Sequence, residues 1–69
     1  MDYLLLAIYR VLLDGQPLTI KEIINAIERS DYYEEYDNTL IDYHKVYKKL
    51  KHKEIFSILP THPRKYYIK

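Results

Sequence analysis

Cationic side chains are the residues of this sequence best suited to chemistry, and most of them lie in one short stretch. Five lysines and two histidines alternate there with apolar residues: His44, Lys45, Lys48, Lys49, Lys51, His52 and Lys53. A second group lies beside prolines near the carboxyl end: His62, Arg64 and Lys65. A basic face on a helix is typical of nucleic-acid binding. The alternative is a lysine face that only contacts solvent.

No arrangement of residues indicates catalysis. The chain has no cysteine, which excludes disulfides and cysteine-based zinc sites. A serine nucleophile would need a histidine beside it, and Ser57 and His62 are merely close in sequence. His44 and His52 would lie about 12 Å apart along a helix, too far to share a metal without other ligands. The sequence therefore predicts neither an enzyme nor a cofactor, and no small-molecule substrate.

The net charge of +1 conceals two halves of opposite sign. Residues 1–39 carry three Lys or Arg and eight Asp or Glu, whereas residues 40–69 carry eight and two. In a chain of 69 residues, which is expected to form one domain over 1–69, this division places opposite charges on different faces.

The basic stretch has the period of an amphipathic helix, which we predict over Thr39–Lys53. Its apolar positions recur every three or four residues and form one stripe: Leu40, Tyr43, Val46, Tyr47 and Leu50. Thr39 followed by Asp42 resembles a capping box, and Asn38 is an alternative cap.

Two further helices are predicted before it. Residues 3–13 are almost wholly apolar and should end near Asp14-Gly15, with Gly15 as the C-cap. The run is too short to cross a membrane. It has more apolar residues than one buried face needs, so we expect part of it to lack intramolecular cover, and a homodimer contact through residues 3–13 is one explanation.

The second helix is predicted over Leu18–Ser30. Thr19 and Glu22 form a full capping box. The expected buried stripe contains four isoleucines: Ile20, Ile23, Ile24 and Ile27. The acidic, tyrosine-rich residues 31–38 that follow lack the alternate ligand spacing and glycine of a calcium loop, so we interpret them as a connection.

After the basic helix the period changes to that of strands. Residues 55–59 and 64–68 are short apolar or aromatic runs separated by Pro60-Thr61-His62-Pro63, a pattern typical of a β-hairpin. One face, expected to pack on the helices, contains Phe56, Ile58, Tyr66 and Ile68. The expected outward residues are Ser57, Lys65 and Lys69.

The predicted order of helix, turn, helix, loop, basic helix and hairpin is that of a small α+β winged-helix domain, in which three helices precede a C-terminal β-hairpin wing. In helix-turn-helix proteins one helix enters the major groove while the preceding one braces it. The basic helix and the residues His62, Arg64 and Lys65 occupy the positions of the recognition helix and the wing.

The chain resembles the HARE-HTH family of winged helices, found in the RNA polymerase delta subunit, in Asx-like chromatin proteins and in some restriction endonucleases. The resemblance extends from Leu5 to Ile68. It depends on Val11-Leu12 at the end of the first helix, on the segment Gly15-Gln16-Pro17-Leu18-Thr19-Ile20-Lys21-Glu22-Ile23-Ile24, and on the terminal Tyr67-Ile68. The chain differs from the family in lacking a Gly-Lys-Thr-Pro-like segment before the third helix and a glycine in the wing.

Two functions are compatible with this reading. The first is binding of duplex DNA in transcription regulation, in the cytoplasm or in a eukaryotic nucleus, mainly through phosphates because the helix lacks the Arg, Asn and Gln that usually read bases. The second is implied by the resemblance: a winged helix that docks onto RNA polymerase or another protein of a nucleic-acid-handling complex.

Overall fold

The structure, a computed structural model, describes residues 2–30 and 41–69. In that part of the chain three helices precede two strands: α1 (Tyr3–Asp14), α2 (Ile20–Glu28), α3 (Tyr43–Leu50), β1 (Phe56–Leu59) and β2 (Lys65–Ile68). The strands form an antiparallel hairpin. The predicted fold class, a small α+β arrangement of three helices and a C-terminal hairpin, is confirmed.

Helix α1 begins and ends at residues that satisfy its backbone. The carboxylate of Asp2 accepts a hydrogen bond from the Leu5 N–H at 3.1 Å, a cap that the sequence analysis missed. Gly15 is the C-cap, as predicted, in an extended conformation. Four residues at helical spacing bury one face: Ala7, Ile8, Val11 and Leu12. The expected surplus is present, since Tyr9 and Leu13 remain exposed.

Helix α2 has the predicted capping box. The Thr19 N–H donates to Glu22 Oε1 at 2.8 Å, and the Glu22 N–H donates to Thr19 Oγ1 at 3.1 Å. The stripe is narrower than predicted, because Ile24 is only half-buried while the other three isoleucines are buried. Ile20, Ile23 and Ile27 already face the core, and Ile24 lies at the edge of that face.

Helix α3 is shorter than the predicted Thr39–Lys53. Asp42 has an extended backbone and accepts a hydrogen bond from the Lys45 N–H at 2.8 Å, so it is the N-cap and not a first-turn residue. After Leu50 the Lys51 and His52 N–H groups bond to carbonyls three residues back, which tightens the chain into a turn. The alternative caps Asn38 and Thr39, with Leu40 and the loop 31–38, lie outside the described residues.

The predicted apolar stripe of α3 also needs a correction. Val46 and Leu50 are buried and Tyr47 is half-buried, but Tyr43 is 59% exposed. The reason is geometric. Val46 and Leu50 lie on the side of α3 that packs on the core, and Tyr43, the first residue of this eight-residue helix, lies at the margin of that side.

The hairpin register pairs Phe56 with Ile68 and Ile58 with Tyr66, so these residues share one face as predicted. Tyr66 also forms a bridge with Leu18 on its other side, through backbone hydrogen bonds of 2.7 and 3.0 Å. Strand β2 therefore lies between Leu18 and β1. Phe56 and Tyr66 are buried, whereas Ile58, on the outer strand, is 47% exposed, contrary to expectation.

The expected outward residues of the hairpin are exposed only in part. Lys69 is exposed, but Ser57 and Lys65 are half-buried. Lys65 begins β2, the inner strand. The next residue, Tyr66, forms the bridge to Leu18, and this bridge brings α2 close to Lys65. The position of a residue within the hairpin, and not only its face, decides its exposure.

Adjacent isoleucines of α2 provide a test of the core. Ile23→Ala should lower the free energy of unfolding by about 2–5 kcal/mol, because it removes a fully buried side chain and leaves a cavity. Ile24→Ala should cost roughly 1–2 kcal/mol, since its side chain is only half-buried. Urea unfolding measures both values. Equal costs would mean that the helix is rotated from the orientation described here.

Candidate functional site

The rotation of α3 about its axis determines which cations point away from the protein. Val46 and Leu50 are buried against α1 and α2, so the opposite side of the helix faces solvent. His44, Lys45 and Lys48 are exposed there, as the sequence predicts. We call these three residues the outward face.

One flank of α3 contacts the start of α1. Lys49 Nζ lies 2.6 Å from Asp2 Oδ2, and both side chains are about one third exposed. Partial burial alone would raise the pKa of the Asp2 carboxyl. The hydrogen bonds from Lys49 and the Leu5 N–H, together with the positive charges of Lys49 and His52, lower that pKa below its ordinary value. Lys49, a predicted site residue, is therefore already neutralised by an internal partner.

The other flank of α3 faces the hairpin. Tyr43, Tyr47 and Lys51 follow one another at intervals of four residues, and Lys51 Nζ lies 4.8 Å from the ring centre of Tyr47. Across from them lie Arg64 and Tyr66. Two adjoining clefts of about 390 and 410 Å³ separate the two sides, and both are lined by Tyr47, Arg64 and Tyr66.

Arg64 connects the hairpin to this flank. Burial raises the pKa of the Tyr66 hydroxyl, and the nearby hydroxyls of Tyr43 and Tyr47 add to the rise. The Arg64 guanidinium opposes it by its charge and by a hydrogen bond to the Tyr66 side chain. The structure thus brings the exposed Arg64 to the same surface as the Tyr47 flank of α3.

The other two predicted wing residues occupy different surroundings. His62 is exposed in the turn between the strands, where the Thr61 hydroxyl donates to the Pro63 carbonyl at 2.8 Å. Lys65 is half-buried and lies near Glu22. Hydrogen bonds from the Thr19 backbone and hydroxyl lower the pKa of Glu22, and the charge of Lys65 lowers it further. Lys65 is therefore less exposed than Arg64 and close enough to Glu22 for their charges to interact.

The aromatic part of this surface was not predicted from the sequence. Tyr43 and Tyr47 were expected in the core stripe, and no role was expected for Lys21, which lines the first cleft with Tyr43. A signal was present, because two tyrosines four residues apart at one edge of a stripe are placed to line a groove as well as a core. Lys53 and the exposed Ile58 line the second cleft.

Within residues 2–30 and 41–69 no three His, Asp or Glu side chains lie close enough together to hold a metal ion. In the same ranges no helix has the length and apolarity needed to cross a membrane. No protein-family model, no curated protein and no solved structure matches the chain.

The contact between Asp2 and Lys49 generates a prediction that separates capping from ion pairing. Asp2→Ala should lower the free energy of unfolding by about 1–2 kcal/mol, because it removes the cap and the ion pair. Asp2→Asn keeps a capping oxygen and should cost only roughly 0.2–1 kcal/mol. Urea unfolding at neutral pH measures both costs.

The same pair predicts a dependence on pH. A carboxyl whose pKa is lowered by folding stabilises the protein above its unfolded pKa, near 3.8, and the contribution disappears as the pH falls through the lower folded-state value. The stability difference between wild type and Asp2→Asn should therefore shrink below about pH 3.8. A difference that is unchanged in acid would contradict the ion pair.

Proposed function

We propose that the chain is a DNA-binding winged-helix protein that acts in transcription regulation, holding duplex DNA with the outward face of α3 and the hairpin. The observation that carries this proposal is the exposure of His44, Lys45 and Lys48 on the side of α3 opposite the buried Val46 and Leu50. Arg64 extends the positive surface onto the hairpin. Residues 41–69 contain only two acidic residues, Asp42 and Glu54.

The chemistry of the outward face favours phosphates over base edges. Lysine binds phosphate as a point charge, whereas bidentate reading of guanine or adenine usually uses Arg, Asn or Gln. None of these three residue types occurs in α3. We therefore expect binding with little dependence on DNA sequence, and Lys49 and Lys65 contribute less than the others because Lys49 is paired with Asp2 and Lys65 is half-buried.

The segment on which the HARE-HTH resemblance depends contacts the inner strand of the hairpin. Its Gln16 side chain accepts a hydrogen bond from the Ile68 N–H at 2.8 Å, and its Leu18 forms the bridge to Tyr66. These contacts hold the hairpin beside α3. A protein with this function would work where DNA is, in the cytoplasm or in a eukaryotic nucleus.

The proposal predicts a strong salt dependence. If Lys45, Lys48 and Arg64 each contact a phosphate, the logarithm of affinity should fall with the logarithm of salt concentration with a slope of roughly −3. Lys48→Ala should weaken binding to all duplexes alike and make the slope shallower by about one unit. Fluorescence anisotropy with two unrelated duplexes measures both effects.

Lys49→Ala is the matched control, since it removes the same charge from the neighbouring position. We expect a smaller effect than for Lys48→Ala, because Lys49 is paired with Asp2. An equal effect would mean that Lys49 leaves Asp2 to reach DNA. Absence of duplex binding at about 50 mM salt, where phosphate contacts are strong, would reject the binding of duplex DNA.

A second candidate function is docking onto RNA polymerase or another protein partner. The observation that favours it is the apolar surface of α1, where Leu13 is 58% exposed and Tyr9 is also exposed. Apolar side chains grouped on one helix often mark a protein contact. Under this alternative the lysines of α3 would be needed for the protein partner, and duplex DNA would bind no better than about millimolar.

The same apolar surface supports a homodimer through residues 3–13. We expect the wild type to sediment as a dimer at micromolar concentration. Leu13→Lys should shift it to a folded monomer with a lower melting temperature, because the mostly exposed side chain is not needed for the core but the stabilisation by association is lost. A wild type that sediments only as a monomer would disprove the dimer and leave the surface to another partner.

A further inference from the structure

The two adjoining clefts between α3 and the hairpin form one surface, which we call the tyrosine groove. Its first part is lined by eight residues: Thr19, Ile20, Lys21, Tyr43, Tyr47, Pro63, Arg64 and Tyr66. Its second part continues past Tyr47 and Arg64 to Lys51, Lys53 and Ile58. Tyr43, which lines the first part, is 59% exposed.

The charges of the tyrosine groove have one sign. Lys21 lies in the first part, Lys51 and Lys53 in the second, and Arg64 lines both. Among the described residues that line the groove, none is acidic. The occupant that complements this surface is therefore anionic, and it also has flat apolar groups that can cover tyrosine rings.

We propose that the tyrosine groove binds unpaired nucleotides, with a base stacked on Tyr43 and the adjoining phosphates held by Arg64 and Lys51. Single-stranded nucleic acid combines a chain of negative charges with exposed aromatic faces, and proteins bind it through aromatic platforms beside cations. The inference rests on the proposed function and makes it more specific: the preferred ligand is duplex DNA that continues into a single strand.

A blunt duplex cannot fill this groove, because its bases are stacked on one another and offer only their edges. Binding of the duplex and binding of the unpaired strand involve different sides of α3. The outward face of α3 points away from the core toward a duplex, while Tyr43, Tyr47 and Lys51 lie on the flank that faces Arg64. A strand that leaves a duplex held on the outward face would enter the groove beside the hairpin.

The test uses the whole chain and three DNA probes with equal numbers of phosphates: a blunt duplex, a duplex with an unpaired thymidine tail, and oligothymidine. Fluorescence anisotropy at one salt concentration gives the affinity of each. We expect the tailed duplex to bind at least about fivefold more tightly than the blunt duplex, as one stacked base would provide.

Three variants identify the stacking residue. Tyr43→Ala should remove the preference for the tail, a loss of about five- to 150-fold on the tailed duplex, while leaving the blunt duplex unchanged. Tyr43→Phe keeps the ring and should keep the preference. Tyr67→Ala is the control, because Tyr67 is a tyrosine of β2 that does not line the groove and lies outside residues 3–13.

Each outcome decides the inference separately from the proposed function. Equal binding of tailed and blunt duplexes, unchanged in Tyr43→Ala, would overturn the groove proposal and leave duplex binding intact. Binding of oligothymidine that depends on Tyr43, without binding of the blunt duplex, would support the groove proposal and reject duplex binding. If no DNA binds, but an acidic aromatic peptide binds through Tyr43, the groove belongs to a protein partner and both proposals fail.

Discussion

The backbone pairing of Leu18 with Tyr66 is the contact on which the rest of this structure depends. It joins the connection between α1 and α2 to the inner strand of the hairpin by two short hydrogen bonds. A two-stranded hairpin alone is marginally stable in water. With the bridge in place, the Tyr66 ring is buried against the helices, and Arg64, two residues earlier, is brought opposite α3.

The sequence was sufficient for features set by local chemistry. The capping box of Thr19 and Glu22, the C-cap at Gly15 and the hairpin around its prolines depend on residues close in the chain, and each was predicted. The bridge from Leu18 to Tyr66 could not be predicted in this way, because periodicity carries no information on which distant segments meet. The exposure of Tyr43 could not be predicted for the same reason, since the rotation of α3 about its axis is determined by the distant segments that it packs against.

The positive charge of the candidate site was predictable from the sequence, but the distribution of its cations over different surfaces was not. Helical spacing correctly placed His44, Lys45 and Lys48 toward solvent. It could not show that Lys49 meets Asp2, because that pair joins two separate helices. Helical spacing also could not show that the cations of α3 lie on two surfaces, the outward face and the tyrosine groove. Composition fixes the number of positive charges, but tertiary contacts decide how many of them remain available to a partner.

The long separation in sequence between the paired segments has a consequence for the timing of synthesis. The Ile68 N–H bonds to the side chain of Gln16, 52 positions earlier in the chain. The tyrosine groove takes its walls from the beginning of α2, from α3 and from β2. A ribosome makes these parts in order, and contacts between distant segments form late in folding. A nascent chain that has reached α3 consequently has the lysines of that helix, but the groove is complete only once β2 has emerged.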